Sequence, residues 1–366
     1  MRMQAIETDF GLDLLRRAPI QQSCVLSPLS VMFALAMVQV GSKGNTKMQI
    51  SNKILDGASD ETLLSHLSKL SADIAKAKKG VQTKIANGFF LDELYDDNLN
   101  KSYVEKIRKH FSAKVATLDF SDAVTSAKEI NDFVSNSTNG KIKKLVNRNT
   151  IKDAFFVITN AIYFHGIWQD KFSKNATAKG DFFTAENKSK ELDFMKASKE
   201  KRMYAEDEDL QLLSLNYMDR SYALNIILPK KKFGLQPLLA KMTGTKLQNL
   251  LRRLENKTIT ISLPKIKLET NFKLKEALMA MGITDMFGWQ ADLSQITDQY
   301  ALYVSDAAHK AVFEMDEEST TAAAATAFRG SYKSLVRKLN FIADHPFLLL
   351  LTKSRHPLFI GKFTGN

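Results

Sequence analysis

A single cysteine, Cys24, in 366 residues excludes any internal disulfide. It stands in an apolar stretch, where a thiol serves as a small buried hydrophobe. A fold that needs no disulfide suits a reducing compartment, so the expectation is cytoplasmic residence. No apolar run reaches the roughly 18 residues of a membrane span. Met1 to Phe10 carry charges and lead into an amphipathic segment, with no apolar core of a secretion signal. A secreted protein in mature form is the alternative, which Asn-X-Ser/Thr triplets at Asn100, Asn136, Asn175, Asn187 and Asn256 keep open. The seven prolines are scattered, and no linker, repeat or low-complexity tract divides the chain. The reading is one compact domain over 1–366, acting as a monomer.

Catalytic signatures are equally scarce. The histidines, His66, His110, His165, His309, His345 and His356, include no His-Glu-x-x-His and no paired Cys-His spacing. There is no Gly-x-Ser-x-Gly elbow. Gly41-Ser42-Lys43-Gly44-Asn45-Thr46 lacks the closing Gly-Lys-Ser/Thr of a phosphate loop and reads as a turn between helices. No enzyme activity, cofactor or metal is expected.

What the chain does have is mixed periodicity. Apolar spacing predicts helices over Val31 to Val40, Glu61 to Lys78 and Ser126 to Ser135. Strand-like runs stand at Phe155 to Phe164, Tyr222 to Leu228, Thr258 to Leu263 and Phe347 to Thr352. Several are continuously apolar, as strands covered on both faces are. The fold class is α+β.

The most distinctive stretch is Glu317-Glu318-Ser319-Thr320-Thr321-Ala322-Ala323-Ala324-Ala325-Thr326-Ala327. Alanine favours helix, so a short helix or linker is one reading. Yet no apolar stripe accompanies the run, and small side chains on both faces suit a segment that slides between two existing strands. If Thr320 faces inward, so do Ala322, Ala324, Thr326 and Phe328, while Arg329 faces away.

Other segments place this run in context. Val25-Leu26-Ser27-Pro28-Leu29-Ser30, Thr159-Asn160-Ala161-Ile162-Tyr163-Phe164-His165-Gly166-Ile167-Trp168, Leu263-Pro264-Lys265, Met281-Gly282-Ile283-Thr284-Asp285-Met286-Phe287 and Val304-Ser305 with His309-Lys310-Ala311 precede it. In this order, over nearly the whole chain, they resemble the serpins, the serine protease inhibitor superfamily, and among them the ovalbumin-like intracellular members. The resemblance implies three β-sheets, eight to nine helices and an exposed reactive-centre loop at about 317–338. It also implies irreversible suicide-substrate inhibition: a protease cleaves the loop, is trapped as an acyl-enzyme, and the hinge inserts into the central sheet. About fifteen residues at roughly 3.3 Å each would carry the protease on the order of 50 Å.

The family's spacing, counted from Glu317, lands on Lys333-Ser334 as the reactive bond, with Arg329, Tyr332 and Arg337 as alternatives. Lysine there implies a trypsin-like target, and Tyr332 before it would also suit a papain-like cysteine protease. The hinge is Glu317, Glu318, Ser319, Thr320, Thr321, Ala322, Ala323, Ala324 and Ala325, with Ser319 where the family commonly has Gly. Ser27, Ser30, Asn160 and His309 match the region where strands part, and Trp168 matches the aromatic where insertion starts. The alternative is a non-inhibitory serpin used for binding, storage or chaperoning.

Lys and Arg number 52 against 40 Asp and Glu. That excess suggests a polyanion partner such as a heparin-like glycan, on Lys76, Lys78, Lys79 and Lys84 or on Lys141, Lys143, Lys144 and Arg148. A solvated lysine face is the competing reading.

Overall fold

The protein is described by a computed structural model that covers residues 2–55, 57–76, 80–297, 301–317 and 339–366. Ten α-helices are present among the described residues: α1 Arg2–Arg17, α2 Pro28–Val40, α3 Gly44–Ile54, α4 Asp60–Ala75, α5 Lys101–Phe111, α6 Ala123–Ser137, α7 Arg148–Ile151, α8 Leu235–Lys241, α9 Gly244–Arg252 and α10 Leu274–Ala280. The four-residue α7 is a single turn, leaving nine longer helices against the eight to nine expected. The strands are β1 Cys24–Leu26, β2 Val81–Asp92, β3 Lys114–Leu118, β4 Phe156–Gly166, β5 Ala178–Ala185, β6 Lys188–Glu206, β7 Leu210–Asn216, β8 Tyr222–Pro229, β9 Glu255–Pro264, β10 Ile266–Lys273, β11 Asp306–Met315, β12 Leu339–Ile342, β13 Phe347–Lys353 and β14 His356–Phe363.

A five-stranded sheet runs β10-β11-β4-β2-β3. Its centre is a parallel pair, with Asp306 to Phe313 of β11 in register with Val157 to Phe164 of β4. The remaining strands form one continuous hydrogen-bonded ladder, β1-β14-β13-β8-β7-β6-β9-β12, with β5 also on β6. The nineteen-residue β6 serves two neighbours on one edge. Lys188 to Phe194 pairs with β5 and Met203 to Glu206 pairs with β7, with a register break at Ala197/Glu200 against β9. Among the described residues there are thus two hydrogen-bonded sheets, of nine and five strands, where the resemblance implied three; β6 is the strand through which the two parts of the larger one run on into each other.

Burial explains the strand patterns. Every residue of β4 except His165 is buried, because the five-stranded sheet is covered on both faces. On one face α6 packs through Ile130 and Val134 against a layer that holds Phe90, Ala161, Tyr163 and Val312. On the other lies the main core, where α2 is apolar around its whole circumference and buried from Pro28 to Gln39. Its start is set by Ser27, whose side chain accepts from the Ser30 amide, and by Pro28 in the first turn. Cys24 is buried as expected, and burial pushes its thiol up to about 11, so it is inert at neutral pH.

Phe164 ties the two sheets together. It meets Tyr217 edge-on at 5.1 Å and Phe359 at 6.2 Å between ring centroids. Phe164→Ala should therefore open a cavity and cost about 3–5 kcal/mol. Urea unfolding of the uncleaved chain checks this, and an unchanged midpoint would mean that the sheets do not depend on this contact.

Candidate functional site

The helix cap of α2 points at the seam between β4 and β11, and the predicted polar residues meet there. Asn160 pairs with His309 across the parallel ladder and with Asn87 across the antiparallel ladder to β2. Its amide nitrogen donates to Ser30 O (3.0 Å) and Asn87 Oδ1 (2.6 Å). Its carbonyl oxygen accepts from Ser30 Oγ (2.8 Å) and His309 Nδ1 (2.5 Å). His309 Nε2 accepts from the Ser27 amide at 3.1 Å, and Ser27 Oγ donates to Leu358 O at 2.7 Å. Ser27, Ser30 and Asn160 have no exposed surface, and His309 almost none. The imidazole fits only as the neutral Nδ1–H form, and burial pushes its pKa down to about 4. Such a closed network stitches β4 to β11 and both to α2.

A second set of contacts lies at the end of β11. Trp168 stacks on Tyr217 with centroids 4.4 Å apart and donates from Nε1 to Asp316 O at 2.8 Å. Gly166 makes room for that stack, since a Cβ there would come within 2.6 Å of the Tyr217 ring. Glu317 follows. Its backbone carbonyl accepts from the Phe172 amide (3.1 Å). Its carboxylate accepts from Thr177 Oγ1 (2.7 Å) and pairs with Lys265 Nζ (3.0 Å). Burial works against the charge, but Thr177, a backbone amide and Lys265 outweigh it and hold the carboxyl below the usual range.

Of the predicted site residues, Ser27, Ser30, Asn160 and His309 form one cluster, while Trp168 and Glu317 form the other. Glu318, Ser319, Thr320, Thr321, Ala322, Ala323, Ala324 and Ala325 lie outside the described residues, as do Arg329, Tyr332, Lys333, Ser334 and Arg337. So do Lys78 and Lys79. Lys141, Lys143, Lys144 and Arg148 are exposed, with Lys141 over the Tyr163 ring at 5.3 Å. Asn87, Thr177 and Tyr217 were missed, and Lys265 appeared only as part of a motif. Their partners are far away in sequence, so no local pattern marks them.

A paired seam with an anchored acid at its end has counterparts. The family model described as serpin (serine protease inhibitor) matches residues 5–365. The chain belongs to the serpin family. It is 32% identical over 378 residues to the leukocyte elastase inhibitor of Sus scrofa, covering 100% of this chain and 99% of that protein. It is 34% identical to the leukocyte elastase inhibitor of Xenopus laevis over 98% of both chains. The solved structure of uncleaved ovalbumin is 26% identical, covers 100% of both chains and superposes with a TM-score of 0.87. Membership places this serpin in a family defined by inhibition rather than catalysis.

Two outcomes are expected from these contacts. Glu317→Lys sets two cations against each other at a buried position and should destabilise the uncleaved serpin by about 3 kcal/mol. Adding Lys265→Glu should restore part of the loss. Equal melting of single and double variants would show that the pair does not couple. His309 contributes a pH response of its own. Its pKa is depressed from the ordinary 6.5 to about 4, so the unfolded chain binds the extra proton first. Its stabilisation is complete above about pH 6.5 and is lost as pH falls to 4, amounting to roughly 3 kcal/mol. The melting advantage of the wild type over His309→Gln should therefore shrink across that window. A gap independent of pH would contradict the neutral imidazole.

Proposed function

We propose that this serpin is an irreversible suicide-substrate inhibitor of a trypsin-like serine protease. The observation that carries the reading is the parallel β4–β11 pair, with the chain held at Glu317 where β11 ends. A segment turning back from Glu317 into that seam would run antiparallel to both strands. One parallel ladder would be replaced by two antiparallel ones, which are the more stable pairing per residue. The free-energy fall comes from that replacement and from burying Phe328, while the polar seam supplies the barrier.

The chemistry is acyl transfer. The protease serine oxygen attacks the Lys333 carbonyl, the bond to the Ser334 nitrogen breaks, and the Ser334 amine leaves with a proton from the protease histidine. Insertion then draws the ester-linked protease along the sheet before water can release it. Lysine at the cleaved bond fits a pocket with an acid at its base, whereas the elastases, which the relatives are named for inhibiting, have a small one. Tyr332 extends the proposal to papain-like cysteine proteases. Cytoplasmic residence belongs to the same proposal and rests on the lone buried thiol. A heparin-like accelerator on the exposed Lys141–Arg148 stretch would show as a rate that falls steeply with salt. The second reading, a non-inhibitory serpin, draws on the likeness to ovalbumin.

Incubation with trypsin and with a papain-like cathepsin, read on denaturing gels and by mass spectrometry, separates these readings. The expected result is an SDS-stable complex with trypsin and release of a peptide beginning at Ser334. Thr320→Arg or Ala322→Arg should be cleaved without forming the complex, because an inward guanidinium opposes insertion. The wild type nicked between Phe328 and Ser334 should melt above the intact form. Cleavage with no complex and no rise in melting temperature would establish the non-inhibitory reading.

A further inference from the structure

Glu7 on α1, His66 on α4 and His356 at the start of β14 converge in a further polar cluster, which shares no residue with the two described above. The Glu7 side chain has no exposed surface. Its Oε1 lies 2.7 Å from His66 Nε2 and its Oε2 lies 2.6 Å from His356 Nδ1. The ring centroids are 5.1 Å apart. Burial opposes the carboxylate's charge, yet the two imidazoles outweigh it and hold the pKa below the usual range. A carboxylate withdrawn from water needs a matching positive charge close by.

The surroundings fix the backbone from which His356 projects. The β13–β14 turn puts Ser354 and Arg355 at φ 49° and 69°, a left-handed conformation that costs side-chain-bearing residues energy. Two glutamines hold that turn. Gln4 Nε2 donates to Ser354 O (2.8 Å), and the buried Gln248 Nε2 donates to Arg355 O (3.0 Å) and to Thr8 Oγ1 (3.0 Å). Thr8 adjoins Glu7, so a single hydrogen-bonded frame fixes both the carboxylate and the turn that presents the imidazole.

We propose that Glu7, His66 and His356 form a binding site for one zinc-class divalent transition-metal ion. Two imidazole nitrogens and a carboxylate oxygen are borderline ligands suited to such ions, while magnesium and calcium prefer all-oxygen shells. One ligand atom from each residue lies within 4.8 Å of the others. Tetrahedral bonds of about 2.0–2.1 Å bring ligand atoms to roughly 3.3 Å apart. The histidines, with side chains 23% and 16% exposed, have the freedom to close that gap by small rotations. Their partial exposure also leaves a fourth position for water. The ion would sit where the two ring nitrogens now face the carboxylate and tie α1, α4 and β14 together in the folded state alone. With the pairs 59 and 349 residues apart, no sequence motif announces the site.

Calorimetric titration of the metal-free full chain with zinc chloride tests this, alongside melting curves and absorption with cobalt(II). The expected result is one ion per chain and a melting temperature that climbs with zinc. His66→Gln and His356→Gln should each lose the binding, whereas His110→Gln, on α5, should keep it. Magnesium should give no shift. Glu7→Gln leaves an amide at a buried charge and can fail to fold, so the two histidine variants decide. Zinc uptake that survives both of them, or no uptake by the wild type, would overturn the assignment.

Discussion

The parallel pairing of β4 with β11 constrains everything around it. Both strands are buried on both faces, so neither can be displaced without exposing apolar surface above and below. The contact between them is nonetheless the weaker kind of ladder, set in the middle of the sheet rather than at an edge. On the proposed mechanism, this is the place where a further strand would enter. The Ser27–Ser30–Asn160–His309 network lies across that seam, and its directional bonds must break before the strands can separate. Covalent geometry plays no part in this resistance. It is a hydrogen-bond lock with no access to water, and a buried donor without a partner is expensive.

Much of this was legible in the sequence, for identifiable reasons. The continuous apolar runs at Phe155 to Phe164 and Phe347 to Thr352 become β4 and β13, because strands covered on both faces need no polar alternation. The helix predicted from Val31 begins three residues earlier, where Ser27 and Pro28 supply a cap and a first-turn proline. By contrast, β6 gave no signal. Its nineteen residues are rich in Lys and Glu, many of them exposed, and the strand is held by backbone ladders on both edges rather than by an apolar stripe. Pairs such as Thr177 with Glu317 and Asn87 with Asn160 were invisible because topology, not periodicity, brings them together.

Two sets of polar contacts divide the labour at this seam. The buried cluster is neutral, and every group of Asn160 is used within it, so it favours one arrangement of the strands. The set at the end of β11 is charged and partly open to water through Lys265, whose side chain is 39% exposed. A half-solvated ion pair is easier to break than a buried neutral network, because water can take over the lysine's share. Water can therefore take over part of the Glu317 pair, whereas no such substitution is open to the groups around His309.

In the mechanism proposed above, the anchors on either side of residues 318–338 bear on when insertion could occur. Residues 318–338 are bracketed by two anchors on one strand. At one side Lys265, immediately after β9, holds Glu317. At the other, β12 pairs with β9 from Leu339↔Ile259 to Ile342↔Ser262, and the Ala343 amide donates to Ser262 O at 2.9 Å. On that proposal, full insertion of the hinge in the intact chain would draw on the segment that leads to β12 and work against its ladder with β9. After the proposed cut between Phe328 and Ser334, the Glu317 side would be free to enter the seam while β12 stays in place. In the mechanism proposed above, cleavage is thus the trigger because it removes a mechanical load. On this proposal the barrier before cleavage would include the β12–β9 ladder as well as the polar seam and the Glu317 contacts, and cleavage would remove the first of these.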